Sequence, residues 1–248
     1  MRLLQNRLVH NGGLAVVLAL LLNACSAIKQ PSKPLALSLQ EIAPHGDRDH
    51  FVFLVEHPTD KGFQPAGLQV EHVSKLEQPG EFEVTLSEDG MATGRVQIRD
   101  DGKTLWLISE DDYSRGMRMI YDPPLPYLNS PLMPGEQRAQ STAIMRQLGN
   151  GQAAGKMQVE QVIEASAAPP GQWLAGVHNG GVQLHTTRKL QSAEGTIEMN
   201  TTMVLVPGIG EIRSEGGVSG APTMRRELAC AIVGNRSIGD CSRLFQKK

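Results

Sequence analysis

Glu81-Phe-Glu-Val-Thr-Leu-Ser-Glu-Asp-Gly90-Met-Ala-Thr-Gly-Arg-Val-Gln-Ile-Arg99 reads as two strands joined by a tight turn. Phe82, Val84 and Leu86 alternate with Glu81, Glu83 and Thr85, and Val96 and Ile98 alternate with Arg95, Gln97 and Arg99. Successive side chains of a strand point to opposite faces, so a period of two gathers the apolar groups on one face. Asp89-Gly90 is a hairpin signal, because the central residues of the tightest hairpin turns take positive φ. Asp101-Gly102 repeats that signal, Thr104 to Ile108 returns as a strand, and Met117, Met119 and Tyr121 form another alternating set. Residues 81–121 therefore read as an antiparallel meander.

The pattern extends both ways. Phe51 to Val55 is a buried strand ended by His57-Pro58, and residues 69–72 roughly alternate before Pro79-Gly80. Further on, Met157, Val159, Gln161 and Ile163 share one phase, as do Ile197, Met199, Thr201, Met203 and Leu205. Val206-Pro207-Gly208-Ile209-Gly210 bends the last of these before Glu211 to Glu215 continues. Gly180-Gly181 leads into Val182, Leu184 and the basic run Thr186 to Lys189. Gln137 to Leu148 is the best candidate for a short helix. The 26 glycines and 15 prolines, with only 4% aromatics, favour turns and short strands over long helices. Tyr121 to Gly135 holds five prolines, which do not belong in a central strand. It is expected to be an extended connector, 122–136, between an N-terminal β unit, 45–121, and a C-terminal one, 137–248.

The N-terminus carries an address. Arg2 and Arg7 precede the apolar run Leu14 to Leu22, then Leu22-Asn23-Ala24-Cys25 and a polar, Pro-containing segment. This is the layout of a secretory signal over residues 1–24. The apolar run is too short for the roughly 20 residues that a membrane-spanning helix needs. Leu22 to Cys25 resembles a bacterial lipobox, which implies a diacylglyceryl thioether and an N-acyl group on Cys25. An ordinary signal peptide with an incidental cysteine is the alternative. Lipidation of Cys25 accounts for the odd cysteine of three and leaves Cys230 and Cys241 to pair in an oxidising compartment. Gly234-Asn235 and Gly239-Asp240 turn the chain back between them. Residues 25–44 then read as the lipidated terminus and a tether, with Leu35, Leu37 and Leu39 alternating as a first edge strand. Ser26, where inner-membrane lipoproteins carry aspartate, implies by the same resemblance the outer membrane, facing the periplasm.

The second half carries further landmarks: Pro131-Leu-Met-Pro-Gly135, a strand with Val159 and Val162, Pro170-Gly-Gln-Trp173, and Met203-Val-Leu-Val-Pro-Gly-Ile-Gly-Glu-Ile212. This order resembles the TapB-type β domains of bacterial envelope proteins, over residues 130–215. The resemblance implies an antiparallel sheet curled into an open half-barrel, broadly like the lipoprotein-localisation carriers. The chain departs from that pattern at Gln137, Arg138, Ala139 and Val206, where aromatics are usual. The resemblance supplies no catalytic residues.

Little else points to chemistry. Without residues 1–24 the chain has 22 basic and 26 acidic side chains, a mild balance that argues against nucleic acid. His45, Asp47, Asp49, His50 and His57 are metal-ligating types, but their run reads as a solvated turn without ligand spacing. His178 and His185 read as solvent-facing. Glu110-Asp-Asp112 reads as a solvated acidic loop, with calcium as the alternative. Ser26 and Lys29 match Ser-x-x-Lys without its partner motifs. Phosphate-cradling, nucleophile-elbow and zinc-helix motifs are missing. Trp173 reads as a core plug. The other reading sets it with Met199, Met203, Met145 and Met157 around a cavity for acyl chains, since methionine suits adaptable apolar surfaces.

The expectation is therefore a mainly β, non-enzymatic envelope lipoprotein without cofactor or metal. It would bind an apolar ligand or a partner protein on a curved sheet and meet the membrane through its anchor. Two alternatives stay open: a subunit of an outer-membrane secretion, pilus or polysaccharide machine docking through the Pro-rich loop, and an enzyme acting on envelope polymers.

Overall fold

The alternation recurs in enough strands for the sheet to meet its own beginning. The computed structural model describes residues 38–43, 46–169, 171–173, 175–178 and 181–241, with residues 172, 173, 177 and 178 described by backbone alone. Its strands are β1 (His50–Thr59), β2 (Gly62–Lys75), β3 (Glu81–Glu88), β4 (Met91–Asp100), β5 (Thr104–Asp112), β6 (Met117–Asn129), β7 (Gly135–Gln147), β8 (Ala153–Ala167), β9 (Gly171–Trp173), β10 (Gly176–His178), β11 (Val182–Ser192), β12 (Gly195–Val206), β13 (Gly210–Val218), β14 (Ala221–Val233) and β15 (Arg236–Gly239). Strands β1 to β8 and β11 to β14 pair in sequence, each antiparallel to the next, and β14 pairs back onto β1. The result is a closed antiparallel barrel of twelve strands, to which β15 adds along β14, while β9 and β10 form a separate hairpin. The curved antiparallel sheet is thus as expected, and it continues past a half-barrel to full closure, which removes the exposed edges of an open sheet.

Local chemistry explains the curvature. Asp89 (φ 47°) and Gly90 (φ 84°) make the β3–β4 hairpin a tight turn with positive φ at both positions. Register shifts at Leu86/Ser87, Gln97/Ile98 and Val204/Leu205 insert an extra residue on one strand, which bends it and tightens the twist. The hairpins β1–β2, β3–β4, β5–β6, β7–β8, β11–β12 and β13–β14 lie at one end, the upper end. The lower end carries the opposite turns and a short helix, α1 (Leu39–Ile42).

Three expectations change. Of the segment Gln137 to Leu148, all but Leu148, which begins the turn, belongs to strand β7, not to a helix. Its inward phase is Ser141, Ala143 and Met145, whose small members hide the period of two that larger residues would have made plain. Leu39 lies in α1 instead of an edge strand, and Leu35 and Leu37 lie outside the described residues. Ser38 and Glu41 form a reciprocal capping box, which satisfies the first helical N–H groups and fixes the turn.

The third change concerns residues 122–136, which do not separate an N-terminal unit from a C-terminal one. Described residues on both sides of them belong to one compact body and one sheet. Strand β6 runs on to Asn129, with Leu125 and Pro126 paired to Leu107 and Trp106 of β5. Its pairing with β7 stops at Asp122–Thr142. The prolines therefore fall where the strand has a ladder on one side only, which is where a missing N–H is tolerated. The carbonyls left over are met by side chains: Ser141 Oγ donates to Pro123 O at 2.5 Å, and Gln161 Nε2 to Pro126 O at 2.8 Å. Leu125, Leu128 and Leu132, none more than 2% exposed, fill the interior behind this seam.

Candidate ligand-binding lumen

Directly paired residues of an antiparallel sheet share a face, so the register defines what points inward. In the lower half most inward groups are apolar, among them Phe51, Val73, Ile98, Leu105, Leu107 and Leu205, while Glu71 and Glu211 pair directly with Phe51 and Leu205. Ile42 of α1, fully buried, closes this end with Leu39, and Gly208 N donates to Glu41 O to tie the helix to the β12–β13 turn. Burying one such side chain contributes about 2–3 kcal/mol. Between this floor and mid-barrel lies a cavity of about 400 Å³. It falls within the size range of small-molecule sites, which are mostly apolar with a few convergent polar groups.

The polar groups are set inside it. Arg188 on β11 donates through Nη1 to Glu110 Oε1 of β5 at 3.1 Å and through Nε to Gln161 Oε1 at 3.1 Å. Tyr121 Oη donates to Glu110 Oε2 at 2.8 Å. Arg226 on β14 sits over the Phe53 ring, 4.4 Å from its centroid. It pairs with both oxygens of Glu211 at 2.7 Å, with Glu71, and with Gln69 Oε1 at 2.5 Å. The two arginine side chains are 13% and 14% exposed. Burial works against their charge, but Glu110, and Glu211 with Glu71, more than offset it and hold both guanidinium groups firmly protonated. Burial pushes the Glu71 carboxyl up, Arg226 opposes this, and the nearby Glu211 adds to the rise. Tyr127, placed at the register shift in β6, turns its hydroxyl inward onto Met203 Sδ at 3.8 Å. Burial and Glu211 push its pKa up to about 12, so the phenol stays a donor at neutral pH.

Of the residues singled out in the sequence, Met199 and Met203 both line the cavity. Met199, 36% exposed, pairs with Arg188 and Val218 across β12, and Met119 pairs with Met145, so methionines gather on the inward phase towards the upper end. Trp173 lies in the β9–β10 hairpin, and its side chain is outside the described residues, as is Cys25 altogether. Cys230 and Cys241 are joined by a disulfide with Cα atoms 5.3 Å apart, beside the β14–β15 hairpin. His45 is outside the described residues and the His178 side chain likewise. Asp49 is structural: it is buried and accepts from Gly46 N and Gly234 N. His57 contacts Thr223 O, and His185 contacts Thr202 Oγ1. Among the described residues no three His, Cys, Asp or Glu side chains are grouped to hold a metal.

The acidic run did not stay a loop. Glu110 points into the lumen, whereas Asp111 faces out and is clamped by Arg118 and Arg95, each at 2.6 Å. The Glu71, Glu110, Arg188 and Arg226 cluster escaped sequence reading. Part of its signal was present: Arg188 shares a phase with Leu184, Thr186 and Leu190, whereas a register shift brings Glu110 inward out of phase with Leu105 and Leu107. A charge on an inward phase requires a partner, because an unpaired buried charge is costly.

The exterior is polar, with Glu83, Arg95, Asp111 and Arg118 in one ion-pair ladder and Lys189–Glu198 at 3.5 Å in another. Membrane-spanning barrels show the opposite polarity, an apolar outer band around a polar interior. Among the described residues no helix is long and apolar enough to cross a membrane.

The chain matches no protein-family model and no curated protein in sequence. Among solved structures it is similar to a protein of Bacteroides fragilis NCTC 9343 described as exported and of YmcC-like fold, with TM-score 0.49 and 16% identity over 77% of this chain and 98% of that one. It is also similar to a protein of Parabacteroides distasonis ATCC 8503 described as a lipoprotein, with TM-score 0.44 and 11% identity over 75% of this chain and 95% of that one.

Proposed function

We propose that this protein is a non-enzymatic envelope lipoprotein, anchored through Cys25 to the outer membrane on its periplasmic side, whose barrel lumen binds a single apolar chain. The observation that carries the reading is the cavity of about 400 Å³, floored by aliphatic side chains and α1 and lined higher up by Met199 and Met203. The Leu22-Asn-Ala-Cys25 stretch supports the anchor, and the charged exterior suits a barrel held in water beside a membrane. The buried arginines and carboxylates are paired with one another, which fits holding better than turnover.

The test has two arms. The mature chain with Cys25→Ser, purified without detergent, is examined by native mass spectrometry and then offered a fluorescent acyl probe after solvent extraction. Bound lipid or saturable one-to-one probe uptake supports the reading. Neither lipid nor uptake would sink it. For the anchor, Cys25→Ser in the full precursor should move the protein out of the membrane fraction.

A further inference from the structure

We propose that the head group taken by this lumen is an uncharged hydrogen-bond acceptor, the ester or amide carbonyl of an acyl chain, seated among Arg188, Tyr127, Thr186 and Thr201. This rests on the reading of the lumen as an acyl site. Two inventories of the lumen differ: it has donors to spare and no positive charge to spare.

The donors come first. Arg188 uses Nε and Nη1 on Gln161, Glu110 and Tyr121, and its Nη2 has no protein acceptor among the described residues. Among the described residues the Tyr127 hydroxyl reaches only a thioether, a weak acceptor. Thr186 and Thr201 stand opposite each other on β11 and β12 and line the cavity, and neither hydroxyl has a protein partner among the described residues. Four neighbouring side chains thus offer N–H or O–H groups to one side of an apolar space. All four are half-buried, so a ligand oxygen placed among them exchanges their contact with water for hydrogen bonds in a drier site.

The charges come second. Arg188 is balanced by Glu110, and Arg226 lies between Glu71 and Glu211. Three carboxyl groups, Glu71, Glu110 and Glu211, thus face two guanidinium groups, so neither arginine has charge left over for an anion. An ionised fatty acid or a phosphate would bring an unbalanced anion into the lumen, and an ammonium head seated there would lie beside the Arg188 guanidinium. A carbonyl oxygen uses the donors and adds no charge. Below it the chain runs past Val84, Val96, Ile98 and Leu107 towards Ile42, where each methylene taken out of water adds to affinity.

The experiment is displacement of a bound fluorescent acyl probe from the mature chain with Cys25→Ser. The competitors share one chain length: methyl palmitate, palmitate, hexadecane and hexadecylamine. Methyl palmitate is expected to displace the probe at about ten-fold lower concentration than hexadecane, and ahead of palmitate at neutral pH. Tyr127→Phe and Thr201→Val, which remove hydroxyls and keep shape, should each cut the ester's advantage about three- to ten-fold while hexadecane is unchanged. Equal displacement by all four would overturn the head-group site and leave the acyl lumen standing. Stronger displacement by palmitate or by the amine would overturn the charge argument. Failure of the probe to bind at all would remove the lumen reading together with this one.

Discussion

Arg188 and Glu110 lie 78 residues apart and meet inside the barrel, Nη1 to Oε1 at 3.1 Å. Their strands, β11 and β5, are not neighbours in the sheet, so the pair spans the lumen. Glu110→Gln should destabilise by about 2–4 kcal/mol, because it strands a buried guanidinium. The double change Glu110→Gln with Arg188→Met should cost clearly less than the sum of the single changes. Urea denaturation of the four species gives the coupling; additivity would mean that the two do not interact across the lumen.

Asp111 gives a dependence on pH. Burial would raise its pKa, but hydrogen bonds from Arg118 and Arg95 outweigh that and lower it below the ordinary 3.8. A carboxyl lowered on folding stabilises above its unfolded pKa and ceases to do so as pH falls through the folded value. Wild type should therefore exceed Asp111→Asn in stability at pH 7, and the gap should close below about pH 4. Because the arginines are about a third exposed, the gap should be on the order of 1 kcal/mol. A constant gap from pH 7 to pH 3 would refute this account.

The period-two face was legible from Phe82 to Ile98 because large apolar residues alternate there with charged ones. β7 was not legible, since Ser141 and Ala143 are too small to mark an inward face. The binding candidates Met199 and Met203 were within reach because methionine at an inward position is conspicuous. The arginine–carboxylate centre was not, since its members come from five strands and only closure of the sheet brings them together. Proline misled for a related reason: the sequence does not state that β6 has an unpaired side beyond Asp122.

Ile42 should behave as a core residue despite its place in a four-residue helix. Ile42→Ala is expected to cost about 2–4 kcal/mol in denaturant midpoint analysis. It should also weaken retention of the acyl probe, because the cavity floor is lost. A cost below about 0.5 kcal/mol, the usual surface value, would mean that α1 does not close the barrel.

The Cys230–Cys241 bridge closes a short loop near the last strand pairings. Cys241→Ser should lower unfolding free energy by about 2–3 kcal/mol on the chain-entropy account. Thiol titration of the unfolded wild type should find no free thiol at either position. Two titratable thiols together with unchanged stability would contradict the bridge.

Asp49 accepts a hydrogen bond from Gly234, 185 residues later, at the seam where β1 meets β14. The first strand therefore lacks its second neighbour until the last long strand exists. Pairings that close so long a loop form late, because the entropy of closure comes before the contacts that offset it. Until β14 has emerged, the sheet keeps two open edges and cannot close. Under the proposed export that delay helps, because the topology that seals the lumen also keeps the nascent chain transportable until β14 has been made.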